Sequence, residues 1–145
     1  MKRIHTILII LMLCAYSEAH SIKIVTISKA NSRVEYAAEY IKKKLSALGY
    51  TFPNHGNDYK ISLKIASDTT GLKKEGFRIT SKKNHILVEG YDGSGVIYGC
   101  NELAEYAALH HNLNIGNIQQ NPEMVLRGSC VGLQKNSVSA RTSGI

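Results

Sequence analysis

Apolar residues in this chain fall into phased blocks between Ser21 and His110, and the phase changes from block to block. The stretch SIKIVTIS, residues 21–28, is dense in β-branched residues and stops before Asn31 and Ser32, which predicts a buried strand. Val34, Ala37, Ala38, Ile41, Leu45 and Leu48 then recur at spacings of three, four and seven, the signature of one helix face. Ser32 and Glu35 offer an S-x-x-E capping box at the start of that helix, and Gly49 a left-handed stop at its end. Glu39 and Lys43, four apart on the opposite side, keep that side in water. Pro53, Asn54, Gly56 and Asn57 mark residues 51–58 as a loop.

Strict alternation begins at Tyr59 and runs to Ser67, with Ile61, Leu63 and Ile65 on one side and Ser62 and Lys64 on a solvated side. Residues 76–81 and 85–91 read as a hairpin joined through Lys82, Lys83 and Asn84, with Phe77 and Ile79 facing one way. A second helix is predicted over 94–110, its buried stripe formed by Val96, Cys100, Leu103 and Ala107. Beyond His111 the pattern fades: residues 112–121 are loop-like, 124–126 fit one more short strand, and 135–145 form a tail without an apolar period.

The order β-α-β-β-β-α with two amphipathic helices predicts an α+β fold, a mixed β-sheet with both helices packed on one face. A helix crossover favours a parallel neighbour for the first strand, and the hairpin an antiparallel pair. The other face of the sheet then needs a cover that little of the remaining chain can supply. That gap predicts a partner domain.

Composition changes this picture at the N-terminus. Lys2 and Arg3 precede an apolar run from Ile7 to Ala15, and Ser17-Glu18-Ala19 fits a small-x-small cleavage site, so residues 1–19 read as a signal peptide and the protein as exported, periplasmic or extracellular. Lipoprotein modification at Cys14 fits less well, because Leu13 stands where a small residue is expected. The run is also shorter than the ~20 residues a bilayer core requires. Removing Lys2, Arg3 and Glu18 with the leader lowers the net charge from +7 to +6 and leaves 126 of 145 residues, enough for one domain. An eight-fold α/β barrel alone needs ~250 residues and is excluded.

The lysines cluster at 42–44, 73–74 and 82–83 without interleaved aromatics, so they read as solvated helix and strand-edge positions rather than a nucleic-acid surface. Cys100 and Cys130 lie thirty apart with no CxxC, which gives no metal signature; export allows a disulfide, whereas the helix stripe makes Cys100 a small buried hydrophobe.

Three constellations invite a chemical reading. Gly93-Ser94-Gly95 begins a dinucleotide fingerprint, but Tyr98 holds the third glycine's place and residues 112–114 carry no acid where one is required. Glu102 and Glu105 lie on adjacent helical turns as an acid/base pair would, although an outward helix face is expected to be charged in any case. His110 and His111 point about 100° apart on a helix and suit its C-terminal dipole better than a shared metal. No cofactor or metal is expected.

Between Glu75 and Leu103 the chain reads EGFRITSKKNHILVEGYDGSGVIYGCNEL. Asp92 is placed to cap a helix, and Gly95 and Gly99, four apart, leave one stripe of that helix bare for close approach to a sheet. The pattern of Gly90, Asp92, Gly95, Tyr98, Gly99 and Leu103 resembles the non-catalytic N-terminal domain of glycoside hydrolases, most of all the domain preceding the barrel in family 20 hexosaminidases and related α-glucuronidase-type enzymes. The resemblance spans roughly residues 21–128 and implies a zincin-like α+β fold without zinc, packed beside a catalytic barrel. It also implies that PEMVLRG, residues 122–128, is similar to the start of the first barrel strand, with Arg127 as the arginine that holds sugar hydroxyls. Family 20 usually continues with leucines and an aspartate, where this chain has SCVGL at 129–133.

The resulting expectation is a signal peptide at 1–19, an accessory domain at 20–121, and the start of a truncated barrel plus a tail at 122–145. The implied partners are the catalytic barrel of the parent protein and, through it, a carbohydrate, with the catalytic acids elsewhere. The rival reading is a free-standing carbohydrate-binding or protein-interaction module in the periplasm.

Overall fold

The structure, a computed structural model, describes residues 20–28, 31–55 and 58–124. Strand β1 spans Ile22–Thr26, helix α1 Ser32–Ala47, β2 Tyr59–Ile65, β3 Phe77–Lys82, β4 His85–Gly90, helix α2 Gly93–His110 and β5 Asn117–Gln120. The fold is α+β, as the periodicities predict: a mixed five-stranded sheet and two helices.

The sheet order is β1-β2-β4-β3-β5, with β1, β2 and β4 parallel and β3 antiparallel to both β4 and β5. The α1 crossover makes β2 the parallel neighbour of β1. The β3–β4 hairpin closes through Lys83 and Asn84, because Lys82 already pairs with His85, and Lys83 takes the left-handed conformation at φ 52°.

Helix α1 begins one residue earlier in its capping than the sequence suggests. The Asn31 side chain accepts from the backbone N–H groups of Arg33 and Val34, so Asn31 is the cap and Ser32 the first helical residue. The helix stops at Leu48, and Gly49 follows at φ +91°, a conformation that costs glycine little. Val34, Ala37, Ile41 and Leu45 are buried as their spacing implies, whereas Leu48 lies past the last turn and is 40% exposed.

Strand β5 corrects the reading of residues 112–121 as loop. Ile118 is its single apolar residue, opposite Ile79, so no alternation announces it; long-range pairing with β3 creates it. Met124 is not in a strand, and the remainder of the strand expected at 124–126 lies outside the described residues.

The core lies between the sheet and both helices. Ile61, Leu63, Ile79, Ile86 and Val88 meet Val34, Ile41 and Leu45 from α1 and Val96, Cys100, Leu103 and Ala107 from α2. The second sheet face differs from expectation. It carries Lys23, Lys60, Lys64, Arg78, Lys82, His85 and Glu89, and its apolar members Val25 and Leu87 are only half-buried. A charged face of this kind is stable in water without a cover, so the sheet itself creates no need for a partner. Ser62, expected to be wet, is 2% exposed, with its hydroxyl 2.9 Å from His85 Nε2.

Candidate functional site: a glycine corner, a helix seam and a basic row

Three constructions stand out, and the first is the turn from β4 into α2. Asp92 Oδ1 accepts from the Gly95 N–H at 2.9 Å and Oδ2 from the Glu75 N–H at 3.3 Å, which fixes the helix start and the left-handed Glu75, φ 65°, together. The Tyr91 N–H donates to the Gly76 carbonyl at 2.9 Å. Glycine is required here for space. A Cβ on Gly95 would run into the Gly76 carbonyl oxygen, one on Gly90 into the Val96 nitrogen, and one on Gly99 would stand 2.6 Å from Val88 Cγ1. The backbone of α2 therefore lies directly on β3 and β4, and the glycines, Asp92 and Leu103 of the motif are consumed by packing and capping, while Tyr98 is 43% exposed.

The geometry also closes the dinucleotide reading. The carboxylate of Asp92 already occupies the N-terminus of α2, and a phosphate would meet like charge there. Gly93 is filled from the other side, since a Cβ on it would stand 2.7 Å from Arg33 Cβ.

The family model of glycosyl hydrolase family 20, domain 2, matches residues 17–119 and so includes this whole corner. The chain belongs to that family. Among solved structures, this family 20 domain is similar to a GH138 enzyme targeting pectin rhamnogalacturonan II, with 31% identity and a TM-score of 0.66, over 79% of this chain and 17% of that one. It is also similar to the β-N-acetylhexosaminidase from Bacteroides fragilis NCTC 9343, with 24% identity and a TM-score of 0.40, over 60% of this chain and 16% of that one. The domain thus spans about one sixth of the length of either enzyme. No curated protein matches it.

The second construction is the seam between the helices on the side away from the sheet. Tyr36, Tyr40 and Lys44 follow one another at four-residue spacing on α1, as do Asn101, Glu105 and Leu109 on α2. Tyr36 and Tyr40 stack with ring centroids 6.3 Å apart, and Lys44 Nζ lies 5.5 Å from the Tyr40 ring. The Tyr40 hydroxyl donates to Asn101 Oδ1, and Asn101 Nδ2 donates to Glu105 Oε1 at 2.6 Å. Tyr36 is 59% exposed and Leu109 76%. Glu105 is therefore a partner of Asn101 rather than half of an acid/base pair with Glu102. His110 stacks on Tyr106 at 4.3 Å between centroids, while His111 turns away as the left-handed cap of α2, so the two histidines share nothing. Among the described residues no group of three His, Cys, Asp or Glu could hold a metal ion.

The third construction is on the open sheet face, where register sorts side chains into rows. Lys23, Lys60, His85 and Lys82 lie side by side across β1, β2, β4 and β3. Two rows further along, Glu89 lies between Lys64 and Arg78 at 2.9 Å and 3.1 Å. Burial acts to raise the Glu89 pKa, but the two flanking cations and their hydrogen bonds outweigh it and hold the carboxyl below its usual range. One row is charge-compensated and the other is not.

Sequence reasoning missed the basic row, because Lys23, Lys60 and Lys82 are far apart in the chain and only strand order makes them neighbours. The hairpin alone offered a hint, since Lys82 and His85 flank its turn. Arg127 and Cys130 lie outside the described residues. Cys100 is fully buried, and burial pushes its thiol up to about 12.

Proposed function

We propose that this chain is the non-catalytic accessory domain of an exported, polysaccharide-degrading glycoside hydrolase, acting by packing against the catalytic barrel of its parent protein. Family 20 membership over residues 17–119 carries the reading, together with the one-sixth share of each similar enzyme that the domain spans. The consumption of the motif's glycines and Asp92 by packing and capping supports it, since those residues build the domain rather than a reaction site. The helix seam of Tyr36, Tyr40, Asn101 and Leu109 is the surface assigned to the barrel: it exposes aromatic and aliphatic area, flanked by the charges of Lys44 and Glu105, on helices packed against the core. The charged sheet face is left to solvent.

In this reading the leader at 1–19 exports the protein, residues 122–128 enter the barrel, and Arg127 turns its forked donors toward sugar hydroxyls, a role its planar guanidinium suits. The catalytic carboxylates belong to the barrel. The polysaccharide class is carried over from the GH138 neighbour, whose target is pectin.

The division of labour is tested by assaying aryl glycosides with the chain alone and with a form extended through the catalytic domain. Turnover by the extended form only is the expected result. Turnover by the short chain would refute it.

A further inference from the structure

The basic row on the open sheet face is not explained by anything above. Lysines on sheet edges are commonly there to discourage strand pairing. That account reaches Lys23, on the edge strand β1, and Lys82, which lies past the end of the β3–β5 pairing, but not Lys60, which is paired with Lys23 on one side and His85 on the other. Like charges directly opposite one another on neighbouring strands weaken a sheet. The row accepts this at Lys23 beside Lys60, with no carboxylate between them, whereas the same sheet four residues on inserts Glu89 between Lys64 and Arg78. Compensation is available to this fold and is withheld in one row.

The row floors a groove of about 510 Å³ lined also by Lys83, Asn84, Tyr59 and Asp58. Asp58 is the one carboxylate among the lining residues, and it is engaged elsewhere. It accepts from the Ser21 N–H at 2.9 Å and the Ser21 hydroxyl at 3.1 Å, which hold its pKa below the ordinary range. Lys23, Lys60, Lys82, Lys83 and His85 are all exposed. With strands about 4.8 Å apart, the four-strand row sets three lysine ammonium groups and the His85 imidazole along roughly 14 Å.

We infer that this groove binds an anionic polysaccharide, a glycan carrying uronate carboxylates at regular intervals, and holds it on the domain while the catalytic partner acts on the same polymer. The inference rests on the glycoside hydrolase reading for its choice of a glycan. Repeated, singly charged carboxylates suit a row of separate ammonium groups from Lys23, Lys60 and Lys82, and Asn84 and His85 add donors for hydroxyls. A nucleic acid would need rings to stack on, and the one aromatic lining the groove, Tyr59, is half-buried with His20 set edge-on against it at 5.8 Å.

The test is calorimetric titration of the full chain with oligogalacturonate, with a neutral oligosaccharide of equal length, and with single-stranded DNA of equal charge. Oligogalacturonate should bind and the neutral sugar should not, with affinity falling about tenfold or more as salt rises from about 50 to about 300 mM. Lys60→Gln combined with Lys82→Gln should abolish binding, while Lys73→Gln with Lys74→Gln, a lysine pair outside the groove, should leave it intact; circular dichroism confirms folding of each. No binding, equal binding of DNA, or retention of affinity in the Lys60/Lys82 variant would overturn the proposal. Aryl-glycoside turnover by the extended form of the double variant should be unchanged, which separates failure of this site from failure of the glycoside hydrolase assignment.

Discussion

The α-carbon of Gly95 faces the carbonyl oxygen of Gly76 so closely that a Cβ on Gly95 would stand well under 3.0 Å from it. The obstacle is backbone held by the Tyr91 N–H, so no rotamer change relieves it. Gly95→Ala should destabilise the domain by about 3 kcal/mol or more, above the usual cost of overpacking because the corner must open. Gly99→Ala presses instead on Val88 Cγ1 and should cost about 1–3 kcal/mol. Urea unfolding of both variants measures the order; equal or negligible losses would show that the helix does not lie where these glycines place it.

Asp92 joins two segments through one carboxylate, capping α2 and holding the Glu75 N–H. Asp92→Ala should cost about 1–2 kcal/mol, the upper end of the range for a lost cap because a second donor is orphaned. Asp92→Asn keeps one acceptor oxygen and should recover most of the Gly95 contact while losing the Glu75 one. Proton exchange at the Glu75 amide reads this directly: it should accelerate in both variants, and the Gly95 amide in the alanine variant alone.

These two residues also mark how far the sequence could be read. Val96, Cys100, Leu103 and Ala107 all proved buried, since a helix stripe is a local property of 3.6-residue geometry. The glycine spacing forecast close helix-to-sheet approach for the same reason. The S-x-x-E pattern puts the cap of α1 at Ser32, whereas the side chain of Asn31, one residue earlier, is the one that accepts the first backbone N–H groups. Strand β5 escaped because its stability comes from pairing with β3 and from bonds to a distant loop, Gln119 Nε2 and Asn121 Nδ2 each donating to the Gly71 carbonyl at 2.8 Å. The expectation of an apolar second sheet face failed for a related cause. Alternation told which residues shared a face within a strand, but the character of a whole face depends on strand order, and that order brought the lysines together.

Glu89 gives the fold an acid-sensitive contact. Its carboxyl pKa is lowered in the folded state from the usual 4.5, so its stabilising effect is complete above that value and is lost as pH falls through the lower folded one. Glu89→Gln should therefore be less stable than the parent chain by about 1–3 kcal/mol at pH 7. The gap should narrow steadily below about pH 4.5. Thermal melts of both forms from pH 7 to pH 2.5 test the sign; a gap that widens on acidification would contradict the lowered pKa.

Burial of Cys100 removes both access and thiolate, because the desolvated sulfur resists ionisation up to about pH 12. Iodoacetamide at pH 8 should leave the peptide containing Cys100 unmodified in the native protein and alkylate it fully in 6 M guanidinium, about the concentration that unfolds most domains. Rapid alkylation under native conditions would mean that α2 separates from the sheet far more often than its packing implies.

In the proposed assembly the helix seam separates folding from association, because Tyr36 and Leu109 are exposed in the domain and would meet the barrel without supporting the core. Leu109 is 76% exposed and touches little of its own domain, so Leu109→Glu should change the stability of the isolated chain by no more than about 0.5 kcal/mol. In the extended protein the same carboxylate would be buried against the catalytic domain without a partner, and there the cost should reach about 2 kcal/mol or more. Tyr36→Ala should act in the same direction through lost contact area, while Lys64→Gln on the charged sheet face should not distinguish the two forms. Differential scanning calorimetry of each variant, alone and in the extended protein, makes the comparison. Equal effects of Leu109→Glu in both contexts would remove the seam from the interface and leave the sheet face or the loops as the surface the barrel covers.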